Sequence, residues 1–73
     1  MVTIVMERVP PSVRGELSRW MLELHAGVFV GKISALVREE LWAWLQPKLR
    51  NGWAVLVYSN NTEQGFSFEI HGS

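Results

Sequence analysis

The residues of this chain best suited to chemistry crowd into its first fifteen positions. An apolar run, Val2 to Met6, ends on a carboxylate, Glu7, and Arg8, Pro10, Pro11, Ser12, Arg14 and Gly15 follow directly. A strand that closes on an acid and turns at once into a helix brings three kinds of group to one corner. The carboxylate can ligate a hard cation, a guanidinium can grip a phosphate bidentately, and the unpaired amides of a helix start favour anions. Gly15 would let a ligand approach the backbone closely. The mixture suits phosphate binding or metal-assisted phosphodiester cleavage. The ordinary reading stands beside it. Glu7 is then turned to water or accepts amide hydrogen bonds from the helix start, Arg8 and Arg14 are solvated, and Gly15 is a helix glycine that costs under about 1 kcal/mol.

Glu7 alone is too little for Mg²⁺, which takes one or two carboxylates together with phosphate oxygens and waters. A dimer can supply the second copy, and two facing carboxylates repel unless a cation or proton lies between them. The other charged positions are less pointed. Lys32, Arg38, Lys48 and Arg50 are scattered, and each reads as solvated unless a dimer aligns some of them with Arg14 into a stripe. Glu63, in the polar segment 59–65, is the remaining ligand candidate, while His25 and His71 lack a ligand-spaced partner. There is no Ser/His/acid arrangement and no Walker or Rossmann glycine loop.

Seventy-three residues make one domain with a small core, so dimerisation is expected. The apolar share is 48% and includes four tryptophans, more than so small a core absorbs, so part of it should meet a partner. Seven basic and seven acidic residues cancel. Nucleic-acid binders are often basic overall, yet a zero balance still allows a local cationic patch. All seven acids are glutamate, and the lack of cysteine excludes disulfides, thiolate zinc sites and cysteine catalysis. No signal-peptide pattern and no apolar run near the ~20 residues of a membrane span are present. A cytoplasmic chain without membrane contact is expected.

The positioning elements follow from periodicity. In Val2–Glu7, Val2, Ile4 and Met6 share one strand face and Thr3 and Val5 the other. Pro10-Pro11-Ser12 marks a helix start, with Ser12 as an alternative cap. Val13, Leu17, Trp20 and Leu24 then form one helical stripe, with Glu16, Arg19 and Glu23 off it. Val28 to Val30 is a short strand between Gly27 and Gly31. Ser34 caps a second helix whose inward line is Val37, Leu41 and Leu45, and Pro47 ends it. Trp42 and Trp44 flank that line on opposite sides, so at least one is left for the surface or a partner. Asn51-Gly52 is a turn, Trp53–Tyr58 is a strand apolar on both faces, and Phe66, Phe68 and Ile70 alternate with polar residues in a half-buried strand. The order is strand, helix, strand, helix, strand, strand. It gives a small α/β sandwich with two helices on one sheet face. The other face, carrying Val5 and Leu56, should be covered by a second copy.

Three motifs in matching order carry a resemblance. V-P-P-x-x-R-G at 9–15, W-x-L-E-x-x-A-G-V-x-V-G from Trp20 to Gly31 and N-T-E-x-G-F-x-F from Asn61 to Phe68 resemble the CRISPR-associated Cas-two protein of subtype I-E, over residues 2–72. The resemblance implies a ferredoxin-like α+β sandwich with an antiparallel-type sheet, assembled as a face-to-face homodimer. Such a fold has two strands between its helices where the pattern shows one. Either Lys32-Ile33 adds a short strand or the fourth strand alters the pairing. The implied role is in CRISPR adaptation, where the dimer bridges two dimers of the Cas-one integrase and supports protospacer duplex DNA. Arg14 matches the family's helix-start arginine that faces DNA phosphate. Arg8, Ser12, Gly15 and Arg38 are the further nucleic-acid-binding candidates, Ser12 standing where a basic residue is frequent. Many relatives are described as metal-dependent endoribonucleases or deoxyribonucleases whose key acid, usually aspartate, ends the first strand. Glu7 holds that place, which implies Glu7 as the catalytic and Mg²⁺-binding candidate, with a longer arm that moves the ion. The scaffold role is preferred. A nuclease using Glu7 paired across the dimer, and a dimeric interaction module without nucleic acid, are the alternatives. Relatives continue past Gly72 with a basic turn and a strand that helps dock Cas-one. The single domain 1–73 is expected to lack that extension.

Overall fold

A computed structural model describes residues 1–72. The central strand β1 (Val2–Glu7) alternates as the sequence dictates, with Val2, Ile4 and Met6 buried and Thr3 and Val5 half-buried on the opposite side. Helix α1 (Pro11–Leu17) follows, then β2 (Leu22–His25), β3 (Val28–Gly31), α2 (Ala35–Leu45), a 3₁₀ turn at Gln46–Lys48, β4 (Trp53–Ser59) and β5 (Phe66–Gly72). The strands lie in the order β2-β3-β1-β4-β5, and every neighbouring pair is antiparallel. The first four have the ferredoxin-like arrangement, and β5 extends the sheet beyond β4.

The second strand between the helices is the main departure from the sequence reading. It comes neither from Lys32-Ile33, which lies outside the strands, nor from altered pairing of the fourth strand. It is Leu22–His25, which the apolar spacing assigned to a helix. Helix α1 stops at Leu17; Val13 and Leu17 are buried, whereas Trp20 and Leu24 are exposed. The backbone of 22–25 is satisfied by pairing with β3 instead, with Leu22 opposite Val30 and Glu23 opposite Phe29. Gly27, at φ 80°, closes the hairpin in a conformation that glycine adopts without penalty.

Both helices cover one sheet face. Val13 and Leu17 of α1 and Leu41, Trp42 and Leu45 of α2 join Val2, Ile4, Met6, Phe29, Ala54 and Leu56 in one core. Leu56 thus faces the helices, because β4 registers it against Ile4, and is not on the open face as expected. Trp42 is the inward tryptophan of α2; Trp44 stays half-buried under the Lys48 ammonium, 4.7 Å from its ring centre. Pro47 falls in the 3₁₀ turn that ends α2. Ser34 caps α2, its Oγ accepting the Val37 N–H at 3.1 Å. Ser34→Ala should therefore cost about 1 kcal/mol in urea-monitored stability. Ser12 caps nothing: Pro10 holds the N-cap position of α1 without a side-chain bond, and Ser12 is exposed one step inside the helix.

The other sheet face is uncovered. Register places Val5, Val55, Val57, Val28 and Val30 there, with Leu22 at one margin and Phe66, Phe68 and Ile70 at the other. Leu22, Phe68 and Ile70 are about 60% exposed, at 64%, 58% and 62%. The expected half-burial of β5 is not met within one chain, because its apolar side points away from the helices. Among the described residues no helix is long and apolar enough to cross a membrane.

Candidate nucleic-acid interface

Glu7 ends β1 opposite Trp53, and its side chain is exposed. The next residue, Arg8, sits at φ 60°, a left-handed conformation that costs a side-chain-bearing residue roughly 1 kcal/mol. That kink turns the chain out of the sheet, and Pro10 at φ −61°, ψ 146° feeds it into α1. Two glycines hold the corner. Gly52 is buried against the Glu7 and Arg8 carbonyls. Gly27 accepts the Met6 N–H on its carbonyl at 2.8 Å, tying the β2–β3 turn to the end of β1.

Arg14 lies on α1 beside this turn. Its Nε and Nη2 donate to Oε2 of Glu23 at 3.0 and 2.7 Å, and the same oxygen accepts the Gly27 N–H at 2.9 Å. The Gly27 amide above all, then the Arg14 guanidinium, holds the Glu23 carboxyl below the usual glutamate range. Helical spacing had set Glu23 on a solvated face. As a strand residue opposite Phe29 it points to the helix side of the sheet, where α1 meets it. The legible signal was the alternation of Leu22, Glu23, Leu24 and His25, which fits a strand as well as a helix edge.

Two recesses flank the start of α1. One, of about 380 Å³, is lined by Glu7, Arg8, Val9, Arg14 and His25. The other, of about 600 Å³, is lined by Pro10, Ser12, Lys48, Arg50 and Asn51. The fold therefore gathers Arg8, Arg14, Lys48 and Arg50 around the segment Val9–Val13, although sequence spacing left the last two scattered. Helix α1 has only seven residues and a correspondingly small dipole, so anion preference here rests on side chains. A Cβ at Gly15 would meet nothing within 4 Å, so the fold itself has no need of glycine there.

The remaining candidates lie elsewhere. The Arg38 guanidinium stacks on the Tyr58 ring at 3.7 Å, and Tyr58 pairs with Val2, at the end of β1 remote from Glu7. Glu63 belongs to the loop after Ser59, at that same remote end. His71 stands opposite Ala54 on β5. Among the described residues no group of three His, Asp or Glu side chains is placed to hold a metal ion. Among the described residues Glu7 is the one carboxylate lining its recess, and a Mg²⁺ site there would draw a second carboxylate from another copy of the chain.

A family model described as CRISPR-associated protein (Cas_Cas2CT1978) matches residues 1–73. The chain belongs to this family. In this Cas-two-type protein the ferredoxin-like sheet holds a lone acid at the end of its central strand, and four cations surround the helix start beside it.

Proposed function

We propose that this Cas-two-type protein, of subtype I-E, is the dimeric scaffold subunit of a cytoplasmic spacer-acquisition complex. It binds the backbone of protospacer duplex DNA and bridges dimers of the Cas-one integrase. The observation that carries the DNA-binding reading is the collection of Arg8, Arg14, Lys48 and Arg50 at one end of a chain with zero net charge. Phosphate contacts position a duplex without reading its sequence, and each one releases counterions. The uncovered apolar face supports the dimer. A single chain rarely leaves a contiguous apolar surface of that kind bare.

Binding should be insensitive to DNA sequence and fall steeply with salt. Arg14→Ala should weaken duplex binding about tenfold. It should also flatten the plot of log affinity against log salt by about 0.9 for each phosphate that the dimer no longer neutralises. Fluorescence anisotropy over a salt series reads both. Unchanged affinity and slope would remove the corner from the DNA-binding surface.

A second reading, a Mg²⁺-dependent endonuclease, is favoured by one observation: Glu7 ends the central strand, exposed, on the side of the sheet that a second copy would cover. Two copies of Glu7 would hold the ion, which would polarise the phosphate and lower the pKa of an attacking water. Glu7→Gln should then abolish cleavage of RNA or DNA while leaving duplex binding intact. Cleavage that persists in this variant, or in excess chelator, would place the activity elsewhere. A protein showing neither retention on DNA at low salt nor cleavage would be an interaction module alone.

A further inference from the structure

We infer that Glu23 is a positioning residue, which fixes the Arg14 guanidinium so that its free edge meets a phosphate entering the corner recess. The inference rests on the DNA-backbone reading of that corner. Three donors converge on one oxygen of Glu23: Nε and Nη2 of Arg14 and the Gly27 amide. The Gly27 amide belongs to the β2–β3 turn, and the Gly27 carbonyl is bonded to Met6 at the end of β1. The guanidinium is therefore linked through Glu23 and Gly27 to the strand that presents Glu7. Nη1 of Arg14 has no protein partner among the described residues, and the side chain is 43% exposed. Glu23 uses two of the five N–H donors and leaves the others to a ligand.

Two physical effects of Glu23 oppose each other. Its charge offsets that of Arg14 and weakens the field felt by an incoming phosphate. Its hydrogen bonds remove rotamer freedom that a long cationic side chain would otherwise lose on binding. The geometry favours the second effect. The carboxylate is itself immobilised by a backbone amide, and it takes the side of the guanidinium that faces the hairpin. A pair that merely masked charge would need no such anchor. Arg8 lines the same recess and contributes a second guanidinium beside Arg14.

The test is a double-mutant cycle in duplex DNA binding with Arg14→Ala, Glu23→Gln and the pair. Gln keeps the shape and an oxygen for the Gly27 amide but removes the charge that orders the guanidinium. Glu23→Gln should weaken binding about fivefold, despite removing a negative charge, and have little effect in the Arg14→Ala background. The Arg14 Nε–H signal in ¹⁵N NMR of the free protein should also broaden or exchange faster in Glu23→Gln, a readout that does not depend on DNA. Tighter binding with a steeper salt slope would mean that Glu23 masks Arg14, and would overturn the inference while leaving the DNA reading intact. An Arg14→Ala variant that binds like the parent would overturn both. An unchanged Nε–H signal in Glu23→Gln would overturn the positioning role by itself.

Discussion

Phe68→Lys is expected to dissociate the proposed face-to-face dimer into monomers at micromolar concentration. The open sheet face carries Val5, Val28, Val30, Val55 and Val57 across its middle and Phe66, Phe68 and Ile70 on β5. Phe68 is opposite Val57 and is 58% exposed in the single chain. A lysine there costs the isolated fold little, since its ammonium reaches water. In a face-to-face pair related by a twofold axis the substitution enters twice, and each ammonium loses solvent against an apolar surface. At about 2–3 kcal/mol per copy the dissociation constant rises by roughly a thousandfold or more. Sedimentation velocity should show the parent as a dimer and the variant as a monomer, with the same far-ultraviolet circular dichroism. A parent that sediments as a folded monomer would remove the face-to-face assembly, and with it any site built from two copies of Glu7.

Gly52→Ala is expected to destabilise the corner strongly through a single methyl group. Gly52 is buried, and a Cβ there would lie 2.6 Å from the Arg8 carbonyl oxygen and would also collide with the Glu7 carbonyl. Neither obstacle is a side chain that can swing aside. Both belong to the backbone of the strand end that carries Glu7, so relief requires β1 and the 49–52 turn to separate. The Gly52 amide, which donates to the Leu49 carbonyl at 2.8 Å, would move as well. A loss of about 2–4 kcal/mol is expected, or roughly 10–25 °C in melting temperature for a domain of this size. Gly15→Ala provides the contrast. No atom stands near its missing Cβ, and alanine is the better helix former, so stability should rise by up to about 1 kcal/mol. Equal effects at the two glycines would mean that the Gly52 carbonyl neighbours do not constrain the corner.

Local chemistry made much of the architecture legible. The alternation in Val2–Glu7, the apolar strand read at Trp53–Tyr58, the Ser34 cap and the Pro47 stop all depend on residues within a few positions of one another, and each was found where it was read, the second strand running one residue further to Ser59. The burial of Trp42 beside a half-exposed Trp44 follows the same logic, since helical periodicity forbids both from pointing inward. The strand-to-helix corner at Glu7 and Arg14 was also readable, because an acid, prolines and an arginine sit close together in the chain.

What the chain order did not contain was decided by pairing across the fold. The spacing of Val13, Leu17, Trp20 and Leu24 suits a helix, but Leu22–His25 has β3 as a neighbour, and its backbone bonds go there. That one change moves Glu23 from a solvated face to the Arg14 guanidinium. Leu56 turned inward because its register partner is Ile4, a relation between residues far apart in sequence. Lys48 and Arg50 reached the start of α1 only because the 3₁₀ turn after α2 ends there. The sequence by itself therefore determined the elements whose signals are periodic and local, together with the acid and arginine of the corner. Tertiary structure alone decided which strand paired with which, and so which charges share a surface, because hydrogen-bond partners and packing neighbours distant in the chain leave no mark in local spacing.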